Sequence, residues 1–218
     1  MPQAVTLDDL VRNIRANRPS RRTITALSGP PASGKSTAAE TIVAKLNQLE
    51  PGSAAVVPMD GFHYDDMVLV PRGLRPRKGA PETFDCAGFA HLISRLAANA
   101  EEEIAVPVFD RAIEISRGSA RIIPNSVKYI LTEGNYLLLD REPWSKLRPL
   151  FDMTVFLKAD KDELRSRLLS RWESLPPAEL VAKIEGNDMI NVDTVLDESS
   201  EADFTLQNDG TEGLAGAD

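Results

Sequence analysis

Apolar positions along this chain switch between a period near 3.6 residues and short, nearly continuous runs. Leu7, Leu10, Val11 and Ile14 recur at helical spacing over residues 7–18, with Thr6 as N-cap and Arg18-Pro19-Ser20 as the stop. Thr23–Leu27 reads as a strand that runs straight into Gly29–Ser36. Ala39, Ile42, Val43 and Leu46 predict a second helix, ended by Pro51-Gly52. A second strand, Ala54–Met59, terminates at Asp60-Gly61 and gives way to a long Gly-, Pro- and Arg-rich segment from Gly61 to Pro81. Phe89, Leu92, Ile93 and Leu96 predict a third helix. Ile104–Phe109, Val127–Thr132 and Met153–Leu157 read as the third, fourth and fifth strands, with a hairpin-like excursion over 111–123. Helices over 160–173 and near 178–185 flank Pro176-Pro177, and Ala202–Leu206 reads as a last strand.

Strands alternating with helices call for an α/β fold, a parallel sheet covered on both faces and joined by right-handed crossovers. In such sheets ligands bind beyond the carboxyl ends of the strands, where the polar motifs of this chain fall. The length of 218 residues fits one domain over 1–207, followed by a loose acidic tail over 208–218. A net charge of −8 argues against nucleic acid as a partner. No apolar run is long enough to span a bilayer, and the first residues carry Asp8 and Asp9 where a leader would be apolar. The single cysteine, Cys86, suits a reducing cytoplasm and excludes an internal disulfide. Where such a chain assembles, a homodimer is the first expectation.

Gly29-Pro30-Pro31-Ala32-Ser33-Gly34-Lys35-Ser36, followed by Thr37, fits G-x-x-x-x-G-K-[ST] with a strand before it and a helix after it. The glycines allow a tight turn whose N–H groups face a phosphate, and Lys35 supplies a point charge. Ser36 offers a hydroxyl to Mg²⁺ at a helix N-terminus. An ordinary Gly/Pro turn is the bland alternative. Asp60, at the next strand end, is positioned as a general base for an attacking hydroxyl, or as an Asp-Gly turn. Glu133, ending the fourth strand ahead of Gly134-Asn135-Tyr136, reads as a metal or acceptor ligand, or as a solvated strand-end carboxylate. Asp110 either binds acceptor hydroxyls or caps a turn. Arg72, Arg75, Arg77 and Lys78 make a local basic reversal that gathers an anion or stays solvated. Arg165, Arg167 and Arg171 share one helix, to stabilise transferring charge or to pair with Asp162, Glu163 and Glu173. His63 is a candidate for the acceptor site, while Trp144 and Trp172 read as packing residues.

Five blocks carry a resemblance: Gly29–Ser36, Asp60-Gly61-Phe62-His63, Arg77–Asp85, Pro107–Asp110 and Glu133–Leu139. In this order they resemble the P-loop kinase superfamily of uridine kinase, phosphoribulokinase and bacterial pantothenate kinase. The chain looks closest to the bacterial branch of fructose transport system kinase (nucleoside/nucleotide kinase-like) proteins. The resemblance implies a three-layer P-loop NTPase fold, sheet order 2-3-1-4-5, with a mobile lid at about 160–176. It implies ATP and Mg²⁺ as cofactors and phosphorylation of a hydroxyl on a small metabolite, a sugar such as fructose. Alternatives are a uridine-type nucleoside kinase, a pantothenate-like kinase, or a non-metabolic ATP-dependent switch. By the same resemblance Lys35, Asp60 and Arg171 are catalytic, and Gly29–Thr37, Arg167 and Asn187 contact ATP. Asp60, His63, Arg77, Lys78, Glu82, Asp85, Asp110, Glu133, Asn135 and Tyr136 contact the acceptor, and Ser36 and Glu133 the metal. Phe109 stands where uridine kinases carry Tyr, and Glu114 about where their His falls.

Overall fold

The computed structural model describes residues 2–17 and 21–207; the stop at 18–20 and the tail at 208–218 lie outside them. A two-residue strand, β1 (Gln3–Ala4), precedes α1 (Leu7–Ala16). Thr6 caps α1 in a reciprocal capping box: its hydroxyl accepts from the Asp9 N–H, and the Asp9 carboxylate accepts from the Thr6 N–H. Next come β2 (Thr23–Ser28), α2 (Lys35–Leu49) and β3 (Ala54–Pro58). A 3₁₀ turn, Met59–Phe62, leaves β3 and carries Asp60. The long Gly61–Pro81 segment is ordered by α3 (Asp66–Leu69) and two further 3₁₀ turns. The remaining elements are α4 (Cys86–Ala98), β4 (Glu103–Asp110), β5 (Ile115–Pro124), β6 (Tyr129–Gly134), β7 (Met153–Lys158), α5 (Lys161–Arg171), α6 (Pro177–Lys183), α7 (Met189–Glu198) and β8 (Phe204–Gln207).

Six strands form one parallel sheet in the order β1-β8-β7-β2-β6-β3. Numbering its five longer strands along the chain gives 2-3-1-4-5, the expected order. One assignment fails: the strand expected at Ile104–Phe109 is not in this sheet. It is β4, paired antiparallel with β5 in a separate hairpin. Pro107 supplies the reason, since it has no N–H for a ladder, and the register shifts between Val106 and Val108. A central parallel strand must also be buried on both faces, as β2 and β6 are, whereas β4 fully buries only Ile104 and Val106. Helix α7 is a second departure. A π-helical turn, Ile184–Asp188, carries the chain from α6 into it, and Met189, Val192 and Val195 bury one face.

Alternation along the central strands splits the core in two. Ile24, Ala26 and Ile130 pack on one face of the sheet, and Leu27, Tyr129 and Leu131 on the other. A third cluster joins Leu164, Leu168, Ile184, Met189 and Val192 from α5, the π turn and α7. Among the described residues no helix is long and apolar enough to cross a membrane.

Candidate active site

The loop between β2 and α2 is shaped by two residues in the left-handed region, Ala32 at φ 61° and Gly34 at φ 88°. Gly29 is confined by contact: a Cβ there would lie 2.6 Å from the Leu157 carbonyl oxygen. Lys35 opens α2 with its ammonium buried, donating to the Pro30 carbonyl at 2.8 Å. Burial pulls its pKa down, and the negative charges of Glu133 and Asp60 partly restore it. Glu133, buried at the end of β6, is shifted the other way. Burial and the Asp60 charge push it up, against the opposing pull of Lys35, Arg111 and a hydrogen bond with Ser36. These two buried groups of opposite sign, next to the phosphate loop, are the electrostatic centre of the site.

Asp60 faces them from the end of β3. Its carboxylate accepts from Arg111 Nη2 at 2.9 Å, and its backbone carbonyl lies 2.8 Å from His63 Nδ1. The His63 ring packs between Phe84 and Phe109, at centroid distances of 4.0 and 4.4 Å. Burial lowers the His63 pKa despite the nearby Asp60 charge.

A cleft of about 700 Å³ joins these groups. Its phosphate-loop wall is Pro31, Ala32, Gly34, Lys35, Ser36 and Thr37. Asp60, His63, Lys78, Glu133 and Asn135 also line it, and so does Arg171 at the end of α5. Other expected contacts lie outside the lining. Ser33 is fully buried inside the loop, and Gly29 and Pro30 support it from beneath. Arg167 donates to the Ala32 carbonyl at 3.1 Å and pairs with Glu163, so it props the phosphate loop from outside. Asn187 is buried and donates to the Lys78 carbonyl at 3.1 Å. Arg77 is held by the Gly186 carbonyl and by Glu82. Asp85 caps α4 by accepting from the Gly88 N–H, and Asp110 pairs with Arg117. Tyr136 is fully buried, its hydroxyl donating to the Gly79 carbonyl at 2.6 Å.

The cleft also holds residues that sequence reasoning passed over. Arg111 is one; its only local signal is its place directly after Asp110 at a strand end. Trp172, expected to pack, lines the cleft and donates from Nε1 to Asp188 Oδ2 at 2.8 Å, with Lys183 Nζ 4.9 Å from its ring centre. Trp144 does pack, among Phe84 and Tyr136. The Asp188 carboxylate, 3.0 Å from Lys183, thus joins the end of α5 to the π turn.

A phosphate loop on the central strand, facing a carboxylate on the next-but-one strand, is a nucleotide-binding arrangement. No family model matches the sequence. Individual proteins do match. The chain is 36% identical over 193 residues to the Escherichia coli (strain K12) protein named "Uncharacterized protein YggC", covering 87% of this chain and 79% of that one. It is 31% identical over 217 residues to the "Putative uridine kinase C227.14" of Schizosaccharomyces pombe, covering 94% and 92%. The chain belongs to the P-loop kinases. The kinase also matches the crystal structure of a "putative fructose transport system kinase" from Silicibacter sp. TM1040, with a TM-score of 0.85 and 39% identity. That match covers 93% of this chain and 99% of the other.

The oxygen donors next to Lys35 suit a cation held mainly by phosphates. Among the described residues no three His, Cys, Asp or Glu side chains form a metal cage. Mg²⁺ needs none, because it keeps several waters and takes one or two carboxylates alongside substrate phosphates. Ser36 and Glu133, both on the wall of the cleft, fit that role.

Proposed function

We propose that this kinase transfers the γ-phosphoryl group of Mg·ATP to a hydroxyl of a small metabolite, a sugar-like alcohol such as fructose. The observation that carries the reading is that Lys35, Glu133 and Asp60 face one another across a single cleft. The acceptor hydroxyl gives its proton to the Asp60 carboxylate as its oxygen bonds to the γ-phosphorus. The bond from that phosphorus to the bridging oxygen breaks, and ADP leaves. Lys35 and Arg171 meet the charge on the phosphoryl oxygens. Ser36 and Glu133 would hold Mg²⁺, which when bound neutralises part of the phosphate charge.

The test is ADP release with Mg·ATP over ketoses, aldoses, polyols, pentose phosphates, nucleosides and pantothenate, with Lys35→Ala as the blank. One acceptor should raise the rate well above the blank and gain one phosphoryl group. With that acceptor, Asp60→Asn should lower kcat by about 10²–10⁴-fold and leave the KM for ATP nearly unchanged. Full activity in Asp60→Asn would remove the base assignment. A flat panel with slow, Lys35-dependent hydrolysis would favour an ATP-dependent switch that answers to a protein partner.

A further inference from the structure

Beyond Asp60 the cleft is walled by the segment after β3 and by the tip of the β4–β5 hairpin, and its cations are already matched. Arg75 donates from Nε to Asp66 at 2.6 Å and from Nη2 to Glu114 at 2.5 Å. Lys78, nearly buried, donates to the Asp66 carboxylate and to the Glu114 carbonyl, each at 2.7 Å. Arg111 is on Asp60. Three cations thus face three carboxylates. The hydrogen bond from Lys78 holds the Asp66 carboxyl below its usual range.

Two further features fit the same purpose. Glu114 sits at φ 52°, a left-handed conformation that costs a non-glycine residue energy. The residue there is a Glu, its carboxylate on Arg75 and its carbonyl on Lys78, where Gly or Asn would fit the backbone better. His63, with Nδ1 against the Asp60 carbonyl, has its proton on that nitrogen and a bare lone pair on Nε2. The wall therefore offers aromatic faces and hydrogen-bond acceptors, and no uncommitted positive charge.

We propose that Asp66 and Glu114 keep Arg75 and Lys78 out of substrate recognition, so that the site takes an uncharged polyhydroxylated acceptor and turns away its carboxylated or phosphorylated counterparts. Glu114 is then a specificity-determining residue. This rests on the reading of Asp60 as the base that marks the acceptor end. An anionic acceptor would meet Arg75 with its charge already offset by two carboxylates, and would gain its full attraction only by displacing one of them. The Glu114 carboxylate, whose partner is Arg75, would then be left beside the incoming anion as a like charge.

The test pairs compounds that differ in one charged group: glucitol with gluconate, glycerol with glycerate, and pantothenol with pantothenate. Wild type should favour the neutral member of any pair it uses by about 100-fold in kcat/KM. Glu114→Gln, isosteric at a partly exposed position, should narrow that ratio by about tenfold or more, and Arg75→Gln added to it should restore the preference. Wild-type preference for a charged member, or an unchanged ratio in Glu114→Gln, overturns the inference and leaves the kinase reading standing. ADP release with none of the six would count against the proposed acceptor class. Calorimetric titration then decides the inference alone. Gluconate, glycerate or pantothenate should give heat with Glu114→Gln and none with wild type, and identical titrations would refute it.

Discussion

His63 lies beside Asp60, yet it is driven toward its neutral form, because burial outweighs the neighbouring negative charge. Lys78 and Arg111 push the same way. The consequence is a stability that depends on pH. Below the ordinary histidine value of about 6.5, the unfolded chain takes up a proton that folded His63 refuses. Unfolding then gains protons, so stability falls as pH falls through that value and levels off once the folded residue is also protonated. Relative to His63→Gln, wild type should lose stability between about pH 7.5 and pH 5.5 in urea titrations. Parallel curves would show an ordinary histidine. At this scale the sequence was informative where function is local: Gly29–Ser36, Asp60 and Glu133 each announce themselves at a strand end. Arg111 did not, because what defines it is a bond to Asp60, 51 residues away in the chain.

The hairpin is the element that brings Arg111 and Glu114 to the cleft, and a single buried arginine anchors its base. Arg22 is 3% exposed and donates to three carbonyls: Val127 at 2.8 Å, Pro124 at 2.6 Å and Leu96 at 3.3 Å. These belong to the lead into β6, the end of β5 and the last turns of α4. Burying a guanidinium is costly, and here carbonyl oxygens offset the cost. Arg22→Met keeps the apolar stem and removes every donor, so the carbonyls lose their partner. The expected loss is about 2–4 kcal/mol, read as a lower urea midpoint at unchanged m. A loss under about 1 kcal/mol would mean that water replaces the guanidinium without penalty. In the sequence Arg22 is indistinguishable from its exposed neighbour Arg21, which pairs with Asp152 at the surface, since depth leaves no mark on a charged residue beside a strand. The placement of β4 was legible in principle, because Pro107 already argued against a central strand. The run Ile104–Phe109 outweighed that signal.

For the whole molecule the decisive division is between the two clusters packed on the sheet and the third, which belongs to α5, the π turn and α7. Alternation of strands and helices made the sheet legible. The third cluster was not, because Gly186-Asn187 reads as a helix stop, whereas the chain passes through a π turn straight into α7. The cluster is roofed by Trp172, Asp188 and Lys183 and touches the phosphate loop through the bond from Arg167 to the Ala32 carbonyl. A unit with its own small core opens locally at lower free energy than the sheet itself. A nucleotide bound between them adds contacts to the weaker unit, so its opening should be suppressed most. Amide exchange with Mg²⁺ and a non-hydrolysable ATP analogue should therefore slow most over residues 161–188 and least in β2 and β6. Asp188→Ala should accelerate exchange over the same residues in the free protein, because Trp172 and Lys183 lose their shared acceptor, while the sheet amides keep their rates. Equal acceleration throughout would show that the third cluster opens only with the whole fold, and that the region around 160–176 is no independent lid.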